Sequence, residues 1–167
     1  MLDLAAMFWC GVIGGCVGSF LNVVAYRAPL GISVVWRPSH CPQCQRPIRW
    51  YDNIPVLGWL RLRGRCRDCG CAISPRYALV EAFTAAAFAA IAWVDLRPIA
   101  GGVLAEDGRI AWPTIARCAC HCLLASGAIA ATLLRWDRHL SRGRFAAILI
   151  VLAALAFGAP IWIEGSR

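Results

Sequence analysis

The stretch that decides the fold is residues 4–26, LAAMFWCGVIGGCVGSFLNVVAY, which contains no charged side chain. As a helix rising about 1.5 Å per residue it is long enough to cross the roughly 30 Å hydrocarbon core of a bilayer. Asp3 precedes the stretch and Arg27 follows it, whereas a cleaved signal peptide begins with positive charge and ends at small residues. We therefore expect a retained transmembrane helix.

Three further apolar runs follow this stretch, over residues 77–94, 118–134 and 145–163. The second run holds one acid, Glu81, and the third holds His121. The whole chain is 60% hydrophobic and 16% charged, which excludes a disordered chain and an ordinary soluble domain. The sequence predicts an all-α membrane protein with about four transmembrane helices.

Charge is distributed unevenly among the segments between these runs. Residues 27–76 hold nine arginines against two aspartates, net +7, and residues 135–144 hold four against one, net +3. Residues 95–109 hold two arginines against three acids, net −1. By the positive-inside rule we expect the first and third loops in the cytoplasm and both termini in the periplasm. The basic charge then reflects topology, and we expect no nucleic-acid partner.

Two CxxC motifs lie in the first loop, Cys41-Pro-Gln-Cys44 and Cys66-Arg-Asp-Cys69, separated by 21 residues. This spacing is typical of a closed four-cysteine zinc site, and the sequence predicts a small zinc ribbon between the first two spans. Two disulfides and a redox pair are the alternatives, but a cytoplasmic loop is reducing and too short for a thioredoxin-like unit. Cys71 is interpreted as a spare thiol.

Several motifs together resemble the N-terminal part of bacterial prepilin leader peptidases, which are bifunctional membrane enzymes. The resemblance covers roughly residues 10–94 and is carried by the segments GGCVGSFLNVVAYR at 14–27, SHCPQC at 39–44, IRWYDNIPVLGWL at 48–60, LRGRCRDC at 62–69 and ISPRYALVE at 73–81. We accordingly divide the chain into a prepilin peptidase N-terminal-like region, residues 1–94 with the zinc loop at 27–76, and a degenerate peptidase-like region at 95–167.

The resemblance implies an activity at the bacterial inner membrane. Members of the family remove the basic leader of type IV prepilins and type II secretion pseudopilins, then N-methylate the new terminus with S-adenosylmethionine. The glycine that matches Gly64 belongs to the methylation-associated motif. The methyl-donor site is implied by resemblance only, because no glycine-rich nucleotide loop follows a strand in this sequence.

Leader cleavage requires two aspartates, one ionised and one protonated. The family supplies the second in a Gly-x-Gly-Asp motif, which these 167 residues do not contain. Asp137 occupies about the place of the first, but the surrounding arginines Arg135, Arg138 and Arg142 would hold it ionised. We expect that this chain alone does not cleave leaders.

A partner could supply what this chain lacks. Gly11 with Gly15, and Gly14 with Gly18, form overlapping small-xxx-small pairs that allow close helix packing in lipid. A separate peptidase-half chain, or a second copy of this chain, could dock along this seam.

Three acids are candidates to meet a basic leader, Asp52 and Asp68 in the loop and Glu81 one turn into the second span. An acid at that depth is costly and usually faces a partner, so Glu81 is also expected to cap a segment or pair with Arg76 or another arginine. Both readings remain open from the sequence.

A third cluster, Cys118, Cys120, His121 and Cys122, looks like a ligand set on paper. On a helix Cys118 and Cys122 share a face while Cys120 points elsewhere, so packing between helices is favoured over metal binding. The sequence offers no role for His121.

Three functional hypotheses follow. The first is a shortened prepilin-processing enzyme that retains N-methylation. The second is a non-catalytic zinc-ribbon factor that docks pilin-like substrates through residues 50–60. The third is a decayed gene product whose second half has drifted.

Overall fold

A computed structural model describes residues 2–36, 38–96, 103–104 and 108–164, with the side chains of residues 2, 3 and 157–164 outside that description. Five helices make up the fold: α1 (Leu2–Arg27), α2 (Leu57–Arg61), α3 (Pro75–Leu96), α4 (Trp112–Trp136) and α5 (Arg142–Glu164). The described ranges contain only isolated β-bridges besides helices and turns. The all-α prediction is confirmed, with the cysteine loop between the long helices α1 and α3.

Among the described residues, three helices are long and apolar enough to cross a membrane: Leu4–Leu30, Pro75–Leu96 and Trp112–Trp136. They contain the first three predicted runs, although α4 begins six residues before the predicted 118–134. The fourth predicted run, 145–163, falls within α5, but its last side chains lie outside the described residues and its crossing stays a prediction. Most of the predicted acidic loop 95–109 also lies outside them.

The glycine seam of α1 packs against α3 of the same chain. A Cβ added at Gly14 would lie 2.6 Å from the Thr84 carbonyl oxygen, and one at Gly18 would lie 2.9 Å from the Cα of Glu81. Only glycine permits this approach, which is the use of small residues expected in membrane helices. The seam is therefore filled within the chain, and a partner docking along it, as expected from the sequence, would have to displace α3.

The helix α4 completes the bundle by packing across α1 and α3. Cys118 and Cys122 are buried with Phe88 and Ala92 of α3, and Cys10 of α1 packs against the same cluster. Cys120 is only half-buried, so the predicted division of the three cysteines between helix faces is confirmed. A second cluster joins Leu21 and Ala25 of α1 to Leu133 of α4.

Candidate metal centre and the carboxylates around it

Each CxxC motif folds into a small knuckle closed by the same backbone hydrogen bond. In the first knuckle the Cys41 N–H donates to the Arg46 carbonyl at 3.0 Å. In the second the Cys66 N–H donates to the Cys71 carbonyl at 2.8 Å. Each turn aims its cysteine side chains to one side, which brings the two knuckles face to face.

The thiols of the two knuckles converge on one point. The sulfur atoms of Cys41, Cys66, Cys69 and Cys71 all lie within 4.8 Å of one another. Cys41 Sγ lies 3.8 Å from Cys69 Sγ and 3.4 Å from Cys71 Sγ. A tetrahedral zinc site with Zn–S bonds of about 2.3 Å has sulfur–sulfur edges of about 3.8 Å, so the cluster fits a metal ion.

The converged set differs from the predicted ligand set by one residue. Cys41, Cys66 and Cys69 are in it, whereas Cys44 of the first knuckle is not among the sulfur atoms that all lie within 4.8 Å of one another. Cys71 is in the converged set, although from the sequence it is interpreted as a spare thiol. A third cysteine so close to Cys66 and Cys69 could have indicated a further ligand, but only the turn between Cys66 and Cys71 shows that its sulfur reaches the cluster.

The turn of the first knuckle favours one thiolate. The backbone N–H groups of Cys44 and then Gln43 point at the sulfur of Cys41 and lower the pKa of that thiol to about 6. Thiolates are the form that binds soft and borderline metals.

Asp52 anchors the second knuckle to the rest of the loop. Its side chain is 3% exposed, and its carboxylate accepts hydrogen bonds from Arg61 at 2.6 Å and from Arg67 at 2.7 Å on each oxygen. Hydrogen bonds from Arg67 and then Arg61 hold the pKa of Asp52 well below its usual range. The carboxylate is paired with two guanidinium groups of the loop, and its predicted contact with a basic leader stays a prediction.

Gly64 occupies a position that requires glycine. Its φ is +67°, and an added Cβ would lie 2.8 Å from the Trp59 ring. Its carbonyl accepts the Ile73 N–H at 2.7 Å, while the Trp59 indole donates to the Ile73 carbonyl at 3.0 Å. The residue that matches the methylation-associated motif therefore also closes the base of the second knuckle.

Glu81 binds the loop instead of an arginine. Its Oε2 accepts the backbone N–H of Val56 at 2.7 Å, just before α2. Arg76, the partner expected from the sequence, binds Asp137 instead. The expectation that Glu81 caps a segment is the one that the geometry matches.

Asp137 lies at the end of α4 in a bidentate ion pair with Arg76 at the start of α3, with distances of 2.6 and 2.7 Å. Hydrogen bonds from Arg76 lower the pKa of Asp137, so it stays ionised at neutral pH. The crowding arginine is thus one from α3, not one of the neighbours in sequence. An ionised carboxylate can act as the base of an aspartic peptidase dyad only if a second, protonated carboxyl group lies close enough to share a water with it.

A second aspartate of the long helices lies at the opposite end of the bundle. Asp95 stands near the C-terminal end of α3, 19 residues from Arg76, which is roughly 28 Å along a helix axis. Its carboxylate binds His121 Nδ1 at 2.7 Å and Arg117 Nε at 3.4 Å. Asp95 and Asp137 therefore cannot share a water, and His121 acquires the partner that the sequence left unidentified.

Residues 12–94 match the family model of the bacterial peptidase A24 N-terminal domain. A prepilin leader peptidase/N-methyltransferase from Myxococcus xanthus is 57% identical over 77 residues, which cover 46% of this chain and 23% of that protein. No solved structure matches the chain.

Two further relatives extend the match. A type 4 prepilin-like proteins leader peptide-processing enzyme from Escherichia coli is 44% identical over 129 residues, covering 65% of this chain and 46% of that protein. A prepilin leader peptidase/N-methyltransferase from Klebsiella pneumoniae is 46% identical over 99 residues, covering 54% and 43%. The chain thus spans less than half the length of these curated relatives.

Residues 12–94 form a bacterial peptidase A24 N-terminal domain. Through this domain the chain belongs to the prepilin leader peptidase/N-methyltransferase family. The resemblance drawn from the sequence motifs is confirmed.

Proposed function

We propose that this chain acts in the maturation of type IV prepilins or type II secretion pseudopilins, and that its activity is N-methylation of the processed N-terminus. The observation that carries the proposal is the domain match over residues 12–94, which includes the complete thiol cluster. The matched relatives are named for both peptidase and N-methyltransferase activity. In this division, residues 1–94 carry methylation and residues 95–167 are a degenerate peptidase-like region.

Zinc is the metal that we propose for the cluster. Four thiols at tetrahedral spacing with no other ligand type favour Zn²⁺ over the harder cations, which prefer oxygen. Such a closed site holds the loop together and leaves no position for substrate. S-adenosylmethionine, the methyl donor, is proposed from the family resemblance, with Gly64 in the associated motif.

Leader cleavage by this chain alone is not proposed. Asp137 is held ionised by Arg76, whereas a dyad needs a second carboxyl group that stays protonated. Of the described carboxyl groups of α3, Asp95 lies at the far end of the helix and Glu81 accepts the Val56 N–H. A separate chain with the missing aspartate, or a second copy, would have to approach α4 and not the filled glycine seam.

The proposed location is the bacterial inner membrane, with the cysteine loop in the cytoplasm and both termini in the periplasm. The nine arginines of residues 27–76 support this orientation. A reducing cytoplasm also preserves the free thiols that a zinc site needs.

Mass spectrometry of a prepilin-derived peptide tests the proposal. The purified full chain in nanodiscs is incubated with S-adenosylmethionine and, in parallel, with uncut and pre-cut peptide. We expect a methyl group added to the pre-cut peptide and no change in the uncut one. Cys16→Ser, a change on α1 outside the cluster, should behave as the unmodified protein, and Cys41→Ser should lose the activity.

The other outcomes are equally informative. Loss of the leader from uncut peptide would show that this chain carries a complete peptidase and contradict the reading of Asp137. Binding of the pre-cut peptide to zinc-loaded protein with no methyl transfer would replace the enzyme with a docking factor. No binding and no transfer would favour a decayed product.

A further inference from the structure

The cysteine loop carries an apolar surface that nothing in the described residues covers. Residues 54–60, IPVLGWL, contain no charge, and we call them the dipping segment. Leu57 is 62% exposed and Leu60 is 56% exposed. Together with Tyr51, Ile54 and Arg61 they line an open cleft whose accessible surface is almost wholly apolar, and the Arg61 guanidinium is bound to Asp52. In a loop rich in arginine this surface requires a partner.

Contacts place the dipping segment far along the membrane helices. A Cβ added at Gly15 would lie 3.3 Å from the Cβ of Pro55 and 3.8 Å from the Cβ of Ala85. Gly15 is 12 residues from the end of α1 at Arg27, which is about 18 Å along the helix axis. The segment therefore runs back beside the bundle to a depth that lies within a hydrocarbon core of about 30 Å.

The backbone of the dipping segment is satisfied as this depth demands. The Val56 N–H donates to Glu81 Oε2 at 2.7 Å, and the Gly58 N–H donates to the Ile54 carbonyl at 2.8 Å. Non-helical backbone is tolerated in the hydrocarbon region only where protein groups replace water as partners. Glu81, an acid that would otherwise be costly within a span, supplies one of those partners.

The residues around the segment suit a lipid interface. Trp50 is 79% exposed and makes an edge-to-face contact with Tyr51, with ring centroids 5.5 Å apart. Tryptophan and tyrosine are both enriched at membrane–water interfaces. The loop of residues 27–76 has nine arginines against two aspartates, which complements anionic headgroups. Leu79 and Phe83 of α3, at 67% and 64% exposure, are apolar side chains of a membrane-spanning helix with a degree of exposure like that of Leu57 and Leu60.

We propose that the dipping segment is a re-entrant element inserted into the leaflet on the side of the cysteine loop. Leu57 and Leu60 contact phospholipid acyl chains, and the Glu81–Val56 hydrogen bond holds the segment at its depth. The cysteine loop is then seated in the membrane surface and does not stand free in water. This inference concerns lipid and is independent of methyl transfer.

Photolabelling from lipid tests the proposal. The full chain is reconstituted in nanodiscs of phosphatidylethanolamine and phosphatidylglycerol that contain a phospholipid with a diazirine in mid-acyl chain. After illumination, labelled peptides are identified by mass spectrometry. We expect label on residues 54–60 at a level comparable with Leu79 and Phe83. Val35, which is 71% exposed in the same loop, should carry none.

Two variants of Glu81 sharpen the test. Glu81→Leu removes the acceptor of the Val56 N–H and should reduce the labelling of residues 54–60 several-fold. Glu81→Gln keeps an amide oxygen as acceptor and should retain it. Label on Leu79 and Phe83 reports in both cases that the bundle has folded.

A second pair of variants covers a failure of Glu81→Leu to fold. Leu57→Asp should reduce labelling of the segment several-fold, while Val35→Asp should leave it unchanged. Absence of label on residues 54–60 while α3 is labelled would overturn the proposal. Crosslinks from the segment to another protein chain in place of lipid would overturn it as well.

Discussion

The two knuckles of the cysteine loop have the same backbone turn but differ in the number of cysteines that they contain. The residue after each CxxC motif has a left-handed conformation, with φ of 58° at Gln45 and 71° at Gly70. The residue that follows accepts the hydrogen bond that closes the turn, and it is Arg46 in the first knuckle but Cys71 in the second. The first knuckle therefore offers two thiols and the second offers three.

The second knuckle is the more firmly anchored of the two. Gly64, the Trp59 indole and the Asp52–Arg67 ion pair connect it to the rest of the loop. The first knuckle contributes Cys41, which is the buried thiol of the cluster, and an exposed ion pair of 3.3 Å from Arg46 to Asp68. Five thiols then serve a metal that takes four.

The largest effect is expected from Cys41→Ser. Cys41 contacts Cys69 and Cys71 and belongs to both possible sets of four thiols, the predicted set with Cys44 and the converged set with Cys71, so its loss leaves neither set complete. We expect loss of the bound metal and rapid proteolysis of the loop, because folding and metal binding are coupled in such sites. Elemental analysis and limited proteolysis measure both.

The matched control for that prediction is Cys16→Ser, since Cys16 is an exposed thiol on α1. It should leave metal content and proteolysis unchanged. A full complement of metal in Cys41→Ser would contradict the central place of this thiol.

Cys44→Ser and Cys71→Ser test the redundancy between the knuckles. Each single variant leaves one of the two sets of four complete, with Cys41, Cys66 and Cys69 in both, so each should retain one metal per chain. The double variant leaves three thiols and should lose the metal in competition with a chelator. If Cys44→Ser alone lost it, the second knuckle would not supply three ligands.

Gly64→Ala should destabilise the second knuckle. The left-handed backbone costs a non-glycine residue of the order of 1–3 kcal/mol, and the added Cβ would also press on the Trp59 ring at 2.8 Å. Gly70→Ala provides the control, because its φ is +71° with nothing within 4 Å of an added Cβ. Thermal unfolding in nanodiscs should show a larger drop for Gly64→Ala, and equal drops would remove the role of Trp59.

Asp52→Asn should have the smallest effect of the four, a fall of a few degrees in the melting temperature of the loop. The change weakens the hold of Arg61 and Arg67 on the second knuckle. Because the pKa of Asp52 is lowered on folding, its contribution is present above the unfolded value of about 3.9 and is lost only as pH falls through the folded value. The difference between the variant and the parent should thus be constant from pH 7 to pH 5.

Much of this architecture could be predicted because its signals are local. An uncharged run such as residues 4–26 needs only its own length to predict a span, and a CxxC pair needs only its own turn to predict convergent thiols. The glycine pairs of α1 likewise predict close packing, and α3 supplies the partner.

The rest depends on which distant residues meet. Arg76 has Glu81 within two turns of the same helix, yet it binds Asp137, 61 positions away, while Glu81 binds the Val56 amide. His121 finds Asp95 only because α3 and α4 pack side by side. Cys71 joins the cluster through a turn whose conformation no spacing rule contains.

Metal content and coordination of the purified full chain, prepared without chelator, decide whether the cysteine loop is organised around a metal. We expect one zinc per chain, and X-ray absorption should show four sulfur ligands at about 2.3 Å. Well under one zinc per chain, or a coordination shell dominated by nitrogen or oxygen, would contradict the metal-centred loop on which the rest depends.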